Sequence, residues 1–128
     1  MKSLIMWCLM LALSIATSSK AIEPSSIETE IEYDQYLITS LSNDNIGIRV
    51  SAAQLLGERK SQGSQSALIE MMKKDKHYEA RIIAIWALTQ IGDEQLVTVL
   101  KQQLKKEKNE TVQHVLIGAI HELTKEES

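Results

Sequence analysis

The 128-residue sequence has no phenylalanine, one proline (Pro24), one cysteine (Cys8) and an aromatic content of 4%. With 44% hydrophobic residues, a folded core has to be built from aliphatic side chains and alanine. Alanine, leucine, isoleucine, glutamine, glutamate and lysine dominate instead. Apart from isoleucine these lose little rotamer freedom in a helix, so an all-α fold is expected, of one domain at this length.

The cysteine sits in a distinctive stretch. "MKSLIMWCLMLALSIATSSKA" has Lys2, an apolar run from Leu4 to Leu13 that continues through Ile15 and Ala16, and then small polar residues. That is the layout of a secretory signal peptide, 1–21. The run falls short of the about 20 apolar residues of a comfortable membrane span. Ser19 and Ala21 stand where a signal peptidase reads small residues, so cleavage is expected after Ala21, with Ala16 or Ser18 as fallback sites. The processed chain then has no thiol, disulfide, cysteine nucleophile or zinc–thiolate site, and depends on packing alone for stability. It is expected to be exported, to the periplasm or else out of the cell, with no stable membrane span.

Cleavage also changes the charge. Lys2 and Lys20 leave and all 17 acidic residues stay, so 12 basic residues face 17 acidic ones. The excess is local: Glu23, Glu28, Glu30, Glu32 and Asp34 have no basic neighbour, which sets off residues 22–32 as an acidic N-terminal segment. An acidic chain is a poor general binder of phosphate backbones, and nucleic acid is not the expected partner.

The chain repeats itself with a period of 32. "ALIEMMKKDK" (67–76) lies over "VLKQQLKKEK" (99–108), and "IRVSAAQLLGER" (48–59) over "ARIIAIWALTQI" (80–91) and "VQHVLIGAIHEL" (112–123). In these three copies of one helix, apolar residues recur at Ile48, Ala52, Leu55 and Leu56; at Ala80, Ala84, Ala87, Leu88 and Ile91; and at Val112, Leu116, Ala119, Ile120 and Leu123. Spacings of i, i+4, i+7, i+8 and i+11 define one helical face. A second helix type alternates with the first, carrying Leu68, Met71 and Met72, then Leu96, Val97, Leu100 and Leu104. "IETEIEYDQYLITSL" fits an incomplete first copy of it, with Tyr36, Leu37 and Leu41 turned inward. Helices are therefore expected at 27–42, 45–59, 64–74, 77–91, 93–107 and 109–124. "SNDN" supplies capping side chains, and Gly57, Gly63 and Gly92 stand near helix ends where a left-handed residue is often wanted.

"IRVSAAQLLGE" and "ARIIAIWALTQIGD" resemble the second half of a HEAT-type repeat, especially the short bacterial variety related to phycobilin-lyase repeats. The resemblance runs from Tyr33 to Leu123 and implies a short right-handed α-solenoid of about two and a half to three repeats over 33–124, followed by a polar tail, 125–128. It also implies a polar ladder, built from an acid six residues before an arginine. Asp75 and Arg81 match that pattern, Asn43 and Arg49 match it in part, and Glu107 with Gln113 lacks the arginine. The ladder is thus expected to be strongest in the middle of the array.

Catalytic patterns fail on spacing. His114 and His121 lie seven apart on one helix, about 10 Å along its axis, too far to share a metal. Glu110 and His114 make at most half a metal site, "GERKSQGSQS" lacks the lysine–serine of a phosphate loop, and no serine sits in a nucleophile elbow. His77 reads as a surface or capping residue. No catalytic residue, metal site or cofactor is expected. Binding surface is the better reading: Ile82 and Trp86, with Ile83 at the margin and Val50 one period earlier, place bulky apolar groups where such repeats are usually polar. Lys73, Lys74, Lys101, Lys105 and Lys106 form a second candidate, a ridge that also suits helix C-termini. The expected function is an exported, non-enzymatic adaptor or assembly factor that binds another protein. The resemblance supplies an alternative, binding or lyase-like processing of a small molecule in the groove of the array. Self-association through the array ends is a third reading.

Overall fold

The structure, a computed structural model, describes residues 24–125. The expected leader 1–21 and its expected cleavage point fall outside the described residues, as do 126–128. Among the described residues the chain forms six α-helices joined by short turns: α1 Pro24–Ser40, α2 Ile46–Glu58, α3 Gln65–Lys74, α4 Tyr78–Ile91, α5 Leu96–Lys106 and α6 Glu110–Lys125. A 3-10 turn, Gln62–Ser64, precedes α3. No described helix is long and apolar enough to cross a membrane.

The helices pair as α1–α2, α3–α4 and α5–α6, and the second members stack: α4 lies between α2 and α6. The result is a two-layer all-α solenoid. Its core is aliphatic, with Leu56, Leu68, Met72, Ile85, Leu88, Leu100 and Leu116 wholly enclosed. Each such burial stabilises by roughly 1.5–3 kcal/mol before ordering costs are counted. Alanines set the spacing of the second layer. Ala52, Ala53, Ala80, Ala84 and Ala87 are all buried there. The first-layer helices stand further apart. Open clefts of about 480 Å³ and about 540 Å³ lie beside α3, the first shared with the end of α1 and the second with α5.

Helix ends follow local chemistry. Asn45 caps α2 by accepting from the Gly47 amide at 2.8 Å, and Asn109 accepts from Val112 in the first turn of α6 at 3.1 Å. Gly92 ends α4 in the left-handed conformation (φ 73) expected of it. Gly57 and Gly63 do not have that role: after α2 the left-handed residue is Lys60 (φ 50). Gly57 is instead buried inside α2. Helix α5 begins three residues later than expected, because the Asp93 carboxylate accepts from the Gln95 amide at 2.9 Å and holds a turn.

Two positions assigned to the core are exposed. Tyr36 is 66% exposed and Ile48 44%, whereas Ala80 and Val112, the period equivalents of Ile48, are fully buried. The reason is positional. Ile48 faces the side of α2 where a preceding repeat would lie, and there is none among the described residues. Conversely Ala53 and Ile85, absent from the repeated apolar set, are fully buried.

Candidate interaction surfaces

Buried charge organises one edge of the molecule. Arg49, 8% exposed, donates from Nε to Asp75 Oδ2 at 2.7 Å and from Nη2 to Oδ1 at 3.0 Å. Its Nη1 donates to the backbone carbonyls of Asn43 and Asp44. One period on, Arg81 donates from Nε and Nη2 to the two carboxylate oxygens of Glu107, at 3.1 and 2.9 Å, and from Nη1 to the Asp75 carbonyl. In the third copy Gln113 keeps only the last of these contacts, donating to the Glu107 carbonyl at 2.6 Å.

The rungs therefore run between repeats. Each arginine holds the carbonyl six residues before it and the acid of the next repeat, so Asp75 belongs to Arg49 and Glu107 to Arg81. Glu107 is a full member, with Glu replacing Asp. Each acid also shapes the turn after it: Asp75 accepts from the His77 amide, and Glu107 from the Lys108 and Asn109 amides. His77 is the N-cap residue of α4 but makes no side-chain capping bond, and its ring joins the first rung. Its Nδ1 lies 3.2 Å from Arg49 Nη2 and 3.5 Å from Asp75 Oδ1.

Burial alone pushes the Asp75 and Glu107 carboxyls up. The hydrogen bonds and charge of Arg49 and Arg81, with the turn amides, outweigh it and hold both below their ordinary values. Among the described residues no buried side-chain nitrogen or oxygen lacks a partner, and no cluster of three metal-ligating side chains occurs.

Over this ladder lies the cleft of about 540 Å³, lined by Lys73 and Lys74 from the end of α3, Lys106 and Gln103 from α5, and Lys108 beyond it, with Asp75, Arg81 and Glu107 at the wall. Because both wall acids are already matched by arginines, the lysines set the sign of its field. All four are exposed, and Lys74 also pairs with Glu70 at 2.6 Å. The expected ridge is thus redistributed. Lys101 and Lys105 of the ridge are exposed on α5 but do not line the cleft, Lys106 of the ridge does, and Lys108, outside it, joins them. Lys108 was missed because it lies in a turn, where no helical periodicity marks it.

The apolar candidates are less outward than their spacing predicts. Val50, Ile82, Ile83 and Trp86 are all half-buried and packed against the core. Trp86 lies over Gly57: a Cβ built there would come within 2.7 Å of Trp86 Cζ3 and 2.8 Å of Ala87 Cα. What remains open is a shallow depression of about 260 Å³ between Gln54, Ile83 and Trp86.

The largest exposed apolar side chains lie elsewhere. Ile27, Ile31, Tyr33, Tyr36 and Ile48 crowd the N-terminal end, where Tyr33, Tyr36, Ile48 and Leu55 line a groove of about 440 Å³. Arg59 fixes that end by pairing with Asp34 while stacking over the Tyr33 ring, 5.1 Å from its centre. Ile117, 52% exposed, marks the C-terminal end.

A family model described as HEAT repeats matches residues 35–121. No curated protein matches the chain. Among solved structures it is similar to an epoxyqueuosine reductase crystallised with an epoxyqueuosine-modified tRNA-Tyr stem loop, with 31% identity and a TM-score of 0.57. That likeness covers 60% of this chain and 20% of the enzyme, so the chain corresponds to about a fifth of it.

Proposed function

The chain belongs to the HEAT-repeat family, and we propose that it works as an exported, non-enzymatic protein-interaction module, an adaptor or assembly factor, whose partner presents an acidic segment to the cleft between α3 and α5. The observation that carries this reading is the charge arrangement there. Lys73, Lys74, Lys106 and Lys108 surround a concave surface whose acids, Asp75 and Glu107, are neutralised by Arg49 and Arg81. A carboxylate-bearing partner meets lysine donors without having to displace the buried Arg49–Asp75 and Arg81–Glu107 pairs, and of the four lysines only Lys74 is already paired, with Glu70. The paired state of the buried charges also supports a non-catalytic role, since general acid–base work needs a group free to exchange its proton with a substrate. The apolar leader "LIMWCLMLAL" supports export.

The test is capture from the extracytoplasmic fraction of the source cell, comparing the natural chain with a variant in which Lys73, Lys74, Lys106 and Lys108 are changed to glutamate. These side chains are exposed, so helicity should be unchanged. The expected result is a partner retained by the natural chain, lost with the charge-reversed one and released by salt. Equal capture by both forms refutes the cleft as the docking face. Finding the chain only in the cytoplasm refutes export.

A second reading uses the same cleft. The similar reductase was crystallised with a tRNA stem loop, and lysines around a groove suit phosphates as well as carboxylates. A mobility-shift titration with an RNA stem loop separates the two. Salt-sensitive retardation lost on lysine reversal favours RNA, and no shift leaves the acidic protein segment.

A further inference from the structure

We infer that the acidic segment proposed for the α3–α5 cleft is extended and carries an aliphatic side chain about three residues from its carboxylates, seated in the neighbouring cleft between α1 and α3. The inference rests on that reading of the lysine cleft and adds a second contact, a chain conformation and a spacing. Three observations carry it.

The first is that the two clefts are one site of the repeat, met twice. Leu41, Ser42, Glu70, Met71 and Lys74 line the cleft of about 480 Å³, and their equivalents one period on, Lys73, Lys74, Gln102, Gln103 and Lys106, line the cleft of about 540 Å³. Lys74 and Asp75 belong to both. The clefts therefore share a wall at the end of α3 and follow each other across the first layer. Both lie inside the array, with elements of this chain on either side.

The second is that the two copies differ in chemistry. The first cleft has apolar lining in Leu41, Met71 and Ala67, and its charges are matched: Glu70 pairs with Lys74 at 2.6 Å, and Asp75 with Arg49. In the second cleft lysines stand in place of Leu41 and Ser42, and glutamines in place of Glu70 and Met71. One cleft is thus neutral with an apolar lining and the next is cationic, which suits an aliphatic group followed by carboxylates. Methionine, unbranched and polarisable, also adapts to more than one aliphatic shape.

The third is the step between them. Helices side by side stand about 10 Å apart, and the clefts are offset by one such step. An extended chain advances about 3.3 Å per residue, so about three residues separate a side chain in one cleft from a carboxylate in the other. A helix, about 10–12 Å across with its side chains, is as wide as that step and would cover both openings rather than enter them. A nucleic-acid strand fits the pair of clefts poorly. It carries a charge at every phosphate, and the part continuing past Lys74 would meet Glu70 and apolar lining instead of further lysines.

Fluorescence anisotropy of the natural chain with labelled synthetic peptides tests the proposal. The probe carries two adjacent glutamates and, three residues from the nearer one, a leucine, in a serine–glycine background and in both chain directions. In one direction the leucine peptide should bind about tenfold tighter than the same peptide with serine for leucine. The gain should vanish when the leucine is moved to seven residues from the glutamates. Ala67→Gln, a half-buried and helix-compatible position in the first cleft, should remove the gain and leave the serine peptide's affinity unchanged. Equal affinity of the leucine and serine peptides overturns the inference while the acidic-segment reading stands. So does the same gain at every leucine position, or a gain that survives Ala67→Gln. An RNA stem loop that binds where no peptide does, or no binding by any probe, overturns both.

Discussion

Arg49 in α2 and Asp75 in the turn before α4 form a two-point ion pair across 26 residues, at 2.7 and 3.0 Å, with both side chains at most 10% exposed. The pair ties consecutive repeats together where no covalent link does. Its geometry lets a buried charge be tolerated, because the guanidinium also donates to the Asn43 and Asp44 carbonyls.

Removing one partner should cost far more than the pair is worth. Asp75→Ala leaves Arg49 buried and unmatched, with an expected loss of about 3–5 kcal/mol in urea unfolding. The double variant Arg49→Met with Asp75→Leu should recover most of that, since apolar replacement of a buried pair is often neutral. A double variant as unstable as Asp75→Ala would show instead that the pair is strongly net stabilising.

The ladder acids make stability depend on pH in one direction. Asp75 and Glu107 titrate below their ordinary values of 3.8 and 4.5 in the folded chain. Their contribution is therefore complete above those values and disappears as pH falls through the lower folded ones. The unfolding free energy should decline on acidification below about pH 4.5, and more shallowly in the Arg49→Met, Asp75→Leu double variant. Equal acid slopes in the two proteins would place the sensitivity in other carboxylates.

Glycines at two helix positions should respond oppositely to alanine. At Gly57 the new methyl meets Trp86 at 2.7 Å and the α4 backbone at 2.8 Å, so the α2–α4 contact must open. A loss of about 1–3 kcal/mol is expected from overpacking, despite the better helix propensity. Nothing lies within 4 Å at Gly118, and alanine there should stabilise by roughly 0.5–1 kcal/mol. Thermal melts of the two variants side by side check both signs.

Trp86 is half-buried over Gly57 and packed against the core, so Trp86→Ala should destabilise by about 2 kcal/mol, roughly half of what a fully buried tryptophan loses. A melting temperature unchanged within error would mean that the ring contributes little packing and is free to serve as an interface anchor.

The alternating helices, their boundaries to within three residues, and most of the enclosed core were legible because a 32-residue period repeats the same apolar spacing three times. The site was legible only in pieces. Arg49, Asp75 and Arg81 stand out by pattern, but which acid each arginine holds depends on how neighbouring repeats lie against one another. Lys108 belongs to the cleft through a turn, and Trp86 leaves the surface through the absence of a side chain at Gly57, one helix away.

Periodicity by itself determined that the chain is all-α, that it stacks, and where each helix turns its apolar face, since these follow from i, i+4 and i+7 geometry within single elements. Tertiary structure decided the rest. Ile48 and Ile117 share a helix face with buried equivalents and differ from them only in lacking a neighbour, a property of the array's ends that no local spacing encodes. The sign of the cleft likewise depends on long-range pairing, because Asp75 and Glu107 are matched by arginines from the preceding repeat and so do not offset the lysines around them.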